Sequence, residues 1–247
     1  MKKISLIAFA LFLIQCSAKE IVYIKNTDKF FFYDSEGYFY LFNIDKKLVK
    51  KFLPKKTKIL PVGKGMLFIK KNKKVYMPGT GGKYVEAAVY LLTKREKEYK
   101  WLLVSSFVDV TLVGLKPVSR LGYKSKYCLI NYNPAGKNFR AVVKRSFKLV
   151  LEIDFTFLPK ESFSKKNKVL KYFSYPVIVF YKGKKITIQT LELEKGNFSF
   201  KEGIGAFVFH KNASKKLLLL NQAKIKNVFY FEKKNKETLR AFYVKEK

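Results

Sequence analysis

Acidic residues, arginine, cysteine, histidine and tryptophan are all scarce in this sequence. Its 247 residues hold 18 Asp+Glu against 52 Lys+Arg, for a formal net charge of +34. Cysteine occurs only as Cys16 and Cys128, which excludes a disulfide scaffold and any zinc-ribbon spacing. A single histidine, His210, cannot build a multi-histidine metal site and leaves no His-Glu-x-x-His helix. No uncharged apolar run approaches the ~20 residues that a membrane-spanning helix needs. What is abundant is apolar and aromatic material: 48% and 17% of the chain. That is enough to bury a sizeable core, so wholesale disorder is excluded.

The first eighteen residues read MKKISLIAFALFLIQCSA. Lys2 and Lys3 form a charged start, and Ile4 to Ile14 form an eleven-residue apolar run, the layout of a secretory signal. Leu13-Ile14-Gln15-Cys16 resembles the lipobox of bacterial lipoproteins, with Gln15 where a small residue is usual; in this looseness it is similar to the lipoboxes of spirochaete lipoproteins. The resemblance covers only this segment. It implies a signal peptide over residues 1–15 and lipidation of Cys16, with cleavage after Ala18 as the competing reading. Residues 16–247 are then expected to form a single large β-rich domain.

From Glu20 onward, short aromatic and β-branched runs alternate with Lys-, Asn- and Gly-rich breaks. Asp34-Ser35-Glu36-Gly37 reads as a turn between Phe30–Tyr33 and Tyr38–Phe42, and Lys70–Lys74 as a break before Val75–Met77. Lys182-Gly183-Lys184 predicts a tight hairpin. Phe147 to Phe157 alternates most clearly: Phe147, Leu149, Leu151, Ile153, Phe155 and Phe157 occupy the core face, and Lys148, Val150, Glu152, Asp154 and Thr156 a largely wet one. Val177–Tyr181 and Ile204–Phe209 are apolar on both faces, as central strands would be. A bulge near Gln189-Thr190 would correct a slip of phase. Tyr84–Leu92 fits a helix or a hairpin, with β-rich flanks favouring the hairpin. The expected fold is mainly β, an antiparallel meander forming a sandwich or half-open barrel, with room for one short helix.

Recognisable chemistry is sparse. His210 ends an apolar strand beside a turn and reads as structural. Met77-Pro78-Gly79-Thr80-Gly81-Gly82-Lys83-Tyr84 fails the phosphate-loop pattern at both ends, and Gly203-Ile204-Gly205 lacks a third glycine. Glu152/Asp154 and Glu192/Glu194 are acidic pairs on one strand face, read as partners of cross-strand lysines. Cys128 lies in an apolar stretch and reads as a core residue. No catalytic, cofactor-binding or metal residue is therefore predicted, and the chain is expected not to be an enzyme.

Lysine supplies nearly all the positive charge; the arginines are Arg95, Arg120, Arg140, Arg145 and Arg240 alone. Such a field attracts polyanions. Export makes nucleic acid an unexpected physiological partner, leaving anionic lipid head groups, envelope polyanions or an acidic envelope protein. Only Ser17 to Glu20 separate Cys16 from the first strand, a reach of roughly 14 Å. That favours the periplasmic side of the envelope over the surface. The sequence thus predicts a non-catalytic, basic cell-envelope lipoprotein with a binding or assembly role at an anionic membrane surface. The alternative expectation is a periplasmic lipid or amphiphile carrier of open β-sheet type.

Overall fold

The computed structural model describes residues 20–23, 31–54, 57–77, 80–109, 125–159, 172–181, 184–192, 197–234 and 237–245. Strands dominate. They are β1 (Glu20–Tyr23), β2 (Phe31–Asn43), β3 (Leu60–Met77), β4 (Thr80–Arg95), β5 (Glu98–Val108), β6 (Ser125–Tyr127) and β7 (Leu129–Ala135) in the first half. The second half adds β8 (Asn138–Arg145), β9 (Lys148–Phe157), β10 (Val177–Tyr181), β11 (Lys184–Glu192), β12 (Asn197–Phe209), β13 (Lys224–Lys234) and β14 (Glu237–Lys245). All belong to one sheet in the order β1-β14-β11-β10-β5-β4-β3-β2-β13-β12-β9-β8-β7, with β6 beside β5. The mainly-β expectation holds. The sheet is mixed, not a pure antiparallel meander, because β10 and β6 each run parallel to β5.

The sheet rolls into a half-open barrel. Phe31 and Phe32 of β2 pair with Thr238 and Glu237 of β14, while β10 pairs with β5. Strands β2 to β5 are therefore covered on both faces. On one face Tyr38, Tyr40, Phe42, Leu67, Ile69, Ala87, Val89 and Phe107 pack against β7, β8, β9 and β12. On the other, Phe39, Met66, Phe68, Ala88, Tyr90, Trp101, Phe200, Phe229 and Phe231 form a second core. Period-two alternation places successive residues of one strand in different cores.

Short helices pack on the first core, two of them bounded within the described residues. α1 (Lys46–Lys50) is capped by Asp45, whose carboxylate accepts from the Lys47 N–H at 2.7 Å. α2 (Lys215–Leu218) is capped by Ser214 and continues as a 3₁₀ turn over Leu219–Gln222. Neither coincides with Tyr84–Leu92, which is strand in the β4–β5 hairpin, as the β-rich flanks indicated.

Several local expectations are corrected. Asp34–Gly37 lies inside β2, and Lys70–Lys74 lies inside β3 with a bulge between Asn72 and Val75. Gly37 serves close approach instead of a turn: a Cβ there would strike the Ile69 carbonyl oxygen and stand 2.7 Å from Lys70 Cα. Phe147 is not core; it is 93% exposed at the tip of the β8–β9 hairpin. Ser146 and Phe147 have φ of 48° and 62°, the paired positive values of a two-residue type I′ connection. A bulge at Val143/Lys144 follows, so Val150 and Leu151 are both buried while Leu149 is not. Beyond it Leu151, Ile153 and Phe155 are buried as the alternation predicted. Ile204 and Val208 are 60% and 47% exposed, so β12 has one wet face. No register shift interrupts β11 between Ile186 and Glu192, so the expected bulge at Gln189-Thr190 is absent.

Candidate functional site

Cys16 lies outside the described residues. Cys128 is buried in the first core, where burial pushes its thiol up to about 11, so it is an inert core group. His210 lies 3.3 Å from Glu152, which also pairs with Arg140 from β8. The Arg140 hydrogen bond holds the Glu152 carboxyl below its ordinary range, and Asp154 lies 3.8 Å from the same guanidinium. This acidic pair meets an arginine, where lysines were expected, in a cross-strand cluster. Glu194 falls outside the described residues, and for Glu192 only the backbone is described. Thr80–Tyr84 simply begins β4, and Gly203 and Gly205 sit in β12 beneath Phe155 and Asp154.

Polar groups that the sequence did not single out converge on the second core's face. Strand register builds the site. Across the sheet, Phe39, Phe68, Ala88, Ser106 and Ser125 are neighbours in one row. The adjacent row runs Phe200, Phe231, Gly37, Lys70, Glu86 and Val108. Asn72 and Tyr84 follow in the next. Aromatic residues thus form one end of the surface and polar ones the other, with Phe173 packed edge-on over Phe39 at 5.1 Å.

The polar end is a connected chain. Ser125 Oγ–H donates to Ser106 Oγ at 3.0 Å, and Ser106 donates to Glu86 Oε1 at 3.2 Å. The other Glu86 oxygen faces Lys70 Nζ at 3.9 Å. Glu86 is 8% and Ser106 0% exposed, so the carboxylate is held in low dielectric by its partners. Lys70 Nζ also lies 5.3 Å from the Phe68 ring centroid. Asn72 is 1% exposed, and its Nδ2 has no hydrogen-bond partner among the described residues. A buried amide donor without a partner costs folding energy and stands ready for an acceptor.

This donor set comprises one amine, one carboxylate, two hydroxyls and an amide. Hard divalent cations seek several oxygen ligands, and no group of three or more His, Cys, Asp and Glu gathers among the described residues. The constellation instead suits proton transfer and amine chemistry on a small polar molecule. Sequence reading missed it because each residue comes from a different strand, leaving no local motif. The one legible signal was Glu86, an isolated acid between Val85 and Ala87 in a segment otherwise apolar.

No protein-family model matches this sequence, and no curated protein matches it. Solved structures do resemble it. An acetoacetate decarboxylase from Legionella pneumophila superposes with a TM-score of 0.70 at 15% identity, covering 88% of this chain and 87% of that one. The enduracididine biosynthesis enzyme MppR complexed with pyruvate gives 0.65 at 16%, covering 85% and 87%. An acetoacetate decarboxylase-like enzyme from Sphingomonas wittichii RW1 gives 0.66 at 9%, covering 86% and 93%. The likeness is one of fold. It corrects the expectation of a non-catalytic envelope-binding protein, and with it the carrier alternative: the chain has the fold of decarboxylase-type enzymes. The expected absence of catalytic residues rested on missing linear motifs, a search that groups gathered from separate strands escape.

Proposed function

We propose that this protein is an enzyme acting on a small carbonyl acid, with Lys70 as the amine that meets the carbonyl. The observation that carries this reading is the Lys70–Glu86–Ser106–Ser125 chain, buried at Glu86 and Ser106, beside an aromatic wall. Lys70 supplies a primary amine for carbon–nitrogen bond formation at a ketone or aldehyde. The carbonyl carbon gains that bond, and its oxygen leaves as water after two proton transfers. Glu86 is placed to take the proton from the ammonium and return it to the departing oxygen.

Ser106, itself held by Ser125, binds one carboxylate oxygen and leaves the other open toward Lys70. The partnerless Asn72 amide offers a donor for a substrate oxygen. Pyruvate bound to a structural neighbour supports a short oxo acid as the substrate class. Reductive trapping tests the reading. Protein incubated with pyruvate or acetoacetate and cyanoborohydride should gain one adduct per chain, mapped to Lys70 by peptide mass spectrometry. Lys70→Met should abolish it, and Glu86→Gln should slow it by about 10²–10⁴-fold. Adducts spread over surface lysines, with Lys70 unlabelled, would overturn the proposal.

A further inference from the structure

A cavity opens beside β5, lined by neither Lys70 nor Glu86 but reached by Ser106 of their chain. It encloses about 320 Å³ between β5, β6, β10, the chain after α1, and α2. Phe52, Leu102, Val179, Phe180 and Leu217 supply apolar lining. Lys126 and Lys216 line it as well, and no carboxylate does among the described residues. Its polar floor includes Ser105, which is 8% exposed and whose Oγ has no hydrogen-bond partner among the described residues. A chamber with apolar walls on one part, and two cations and serine hydroxyls on the other, is complementary to an anion that carries an apolar body.

We infer that this cavity is a binding site for a compact monocarboxylate with an aromatic or branched apolar body. The carboxylate would take charge-assisted hydrogen bonds from Lys126 and Lys216 and accept from the Ser105 hydroxyl. The apolar body would rest on Phe52, Leu102 and Phe180. The volume sits at the low end for ligand pockets, which selects a small molecule over a long acyl chain. Burial, then Arg145, lowers the Lys126 pKa against a smaller opposing pull from Cys128, and its ammonium lies 5.7 Å from the Phe107 ring centroid. A bound carboxylate would reverse that shift. Ser106 of the Lys70–Glu86 chain also lines the cavity, but Lys126, Lys216 and Ser105, the groups that would hold the carboxylate, lie outside that chain, so the inference can fail or hold separately from the proposed reaction.

Calorimetric titration of the full chain with phenylacetate, 2-phenylethanol and phenethylamine tests it. Phenylacetate should bind saturably with one site per chain, and the alcohol and amine at least about tenfold more weakly. Lys126→Met and Lys216→Gln should each weaken phenylacetate by about tenfold or more without lowering the melting temperature of the free protein. Lys216 is exposed, so its replacement tests the charge even if the Lys126 variant folds poorly. Equal affinity for acid and alcohol, unchanged binding in both variants, or no saturation in the millimolar range would overturn the inference.

Discussion

Leu151→Ala is the sharpest test of the β9 assignment. Leu151 is fully buried, and its strand is hydrogen-bonded on both sides, opposite Val143 of β8 and Phe209 of β12. Leu-to-Ala changes in cores cost about 2–5 kcal/mol, with the spread set by how far the surroundings collapse into the gap. Here β9 cannot move inward without breaking two ladders, so the cavity should persist and the cost should fall near about 3–5 kcal/mol. For a chain of this size that lowers the melting temperature by roughly 6–20 °C. Lys148→Ala, exposed at the start of the same strand, should change stability by less than about 0.5 kcal/mol. Urea unfolding of both variants, with midpoints compared at a common slope, reads the difference. Equal midpoints would show that the phase of β9 is wrong.

Other consequences can be checked separately. Tyr40→Phe should cost about 0.5–1.5 kcal/mol in urea unfolding, because the buried hydroxyl donates to the Asp154 carbonyl at 2.8 Å and links β2 to β9. Gly37→Ala should be strongly destabilising, since its Cβ would meet β3 backbone that cannot retreat; a wild-type melting temperature would refute the close crossing. Cys128 has a folded pKa of about 11 against an ordinary 9.0, so the unfolded chain loses its thiol proton first as pH rises. Its contribution to stability is therefore present below pH 9 and lost between pH 9 and 11, and Cys128→Ala should flatten that part of the pH–stability curve. Native Cys128 should also resist iodoacetamide at pH 8 and react in denaturant. Lipidation of Cys16 predicts that Cys16→Ala abolishes acyl labelling; labelling that persists in the variant would exclude it.

How far the fold was legible depended on how far each strand's environment was local. β9 between Leu151 and Phe155 was readable because one face is wet and the other buried, which imprints a period of two. The β4–β5 hairpin was readable from its β-rich flanks. Asp34–Gly37 was misread because Asp, Ser and Gly are turn formers in isolation, while here Gly37 is demanded by the proximity of Ile69 and Lys70 on a strand far along the chain. Phe147 was misread for the opposite reason: its apolar side chain fits the alternation, but backbone twist at the hairpin tip places it in water. Ile204 and Val208 show that apolar composition on both faces does not by itself make a central strand.

The site was illegible for a related physical reason. Glu86, Ser106 and Ser125 are joined only because β4, β5 and β6 lie in register, and a parallel pairing such as β5–β6 has no signature in the intervening sequence. Net charge also drew attention to the surface, where lysines are plentiful and individually uninformative. Burial reverses their value. A lysine on the wet face of β9 is one solvated cation among many, whereas Lys70 faces a carboxylate that is itself nearly sealed from water, and Lys126 lines a cavity that no carboxylate lines among the described residues. An excess of positive charge spread over the sequence therefore says little about chemistry until the sheet sets particular cations beside a sealed carboxylate or a cavity, as it does with Lys70 and Lys126 on opposite faces of the wall formed by β2 to β5 and β6.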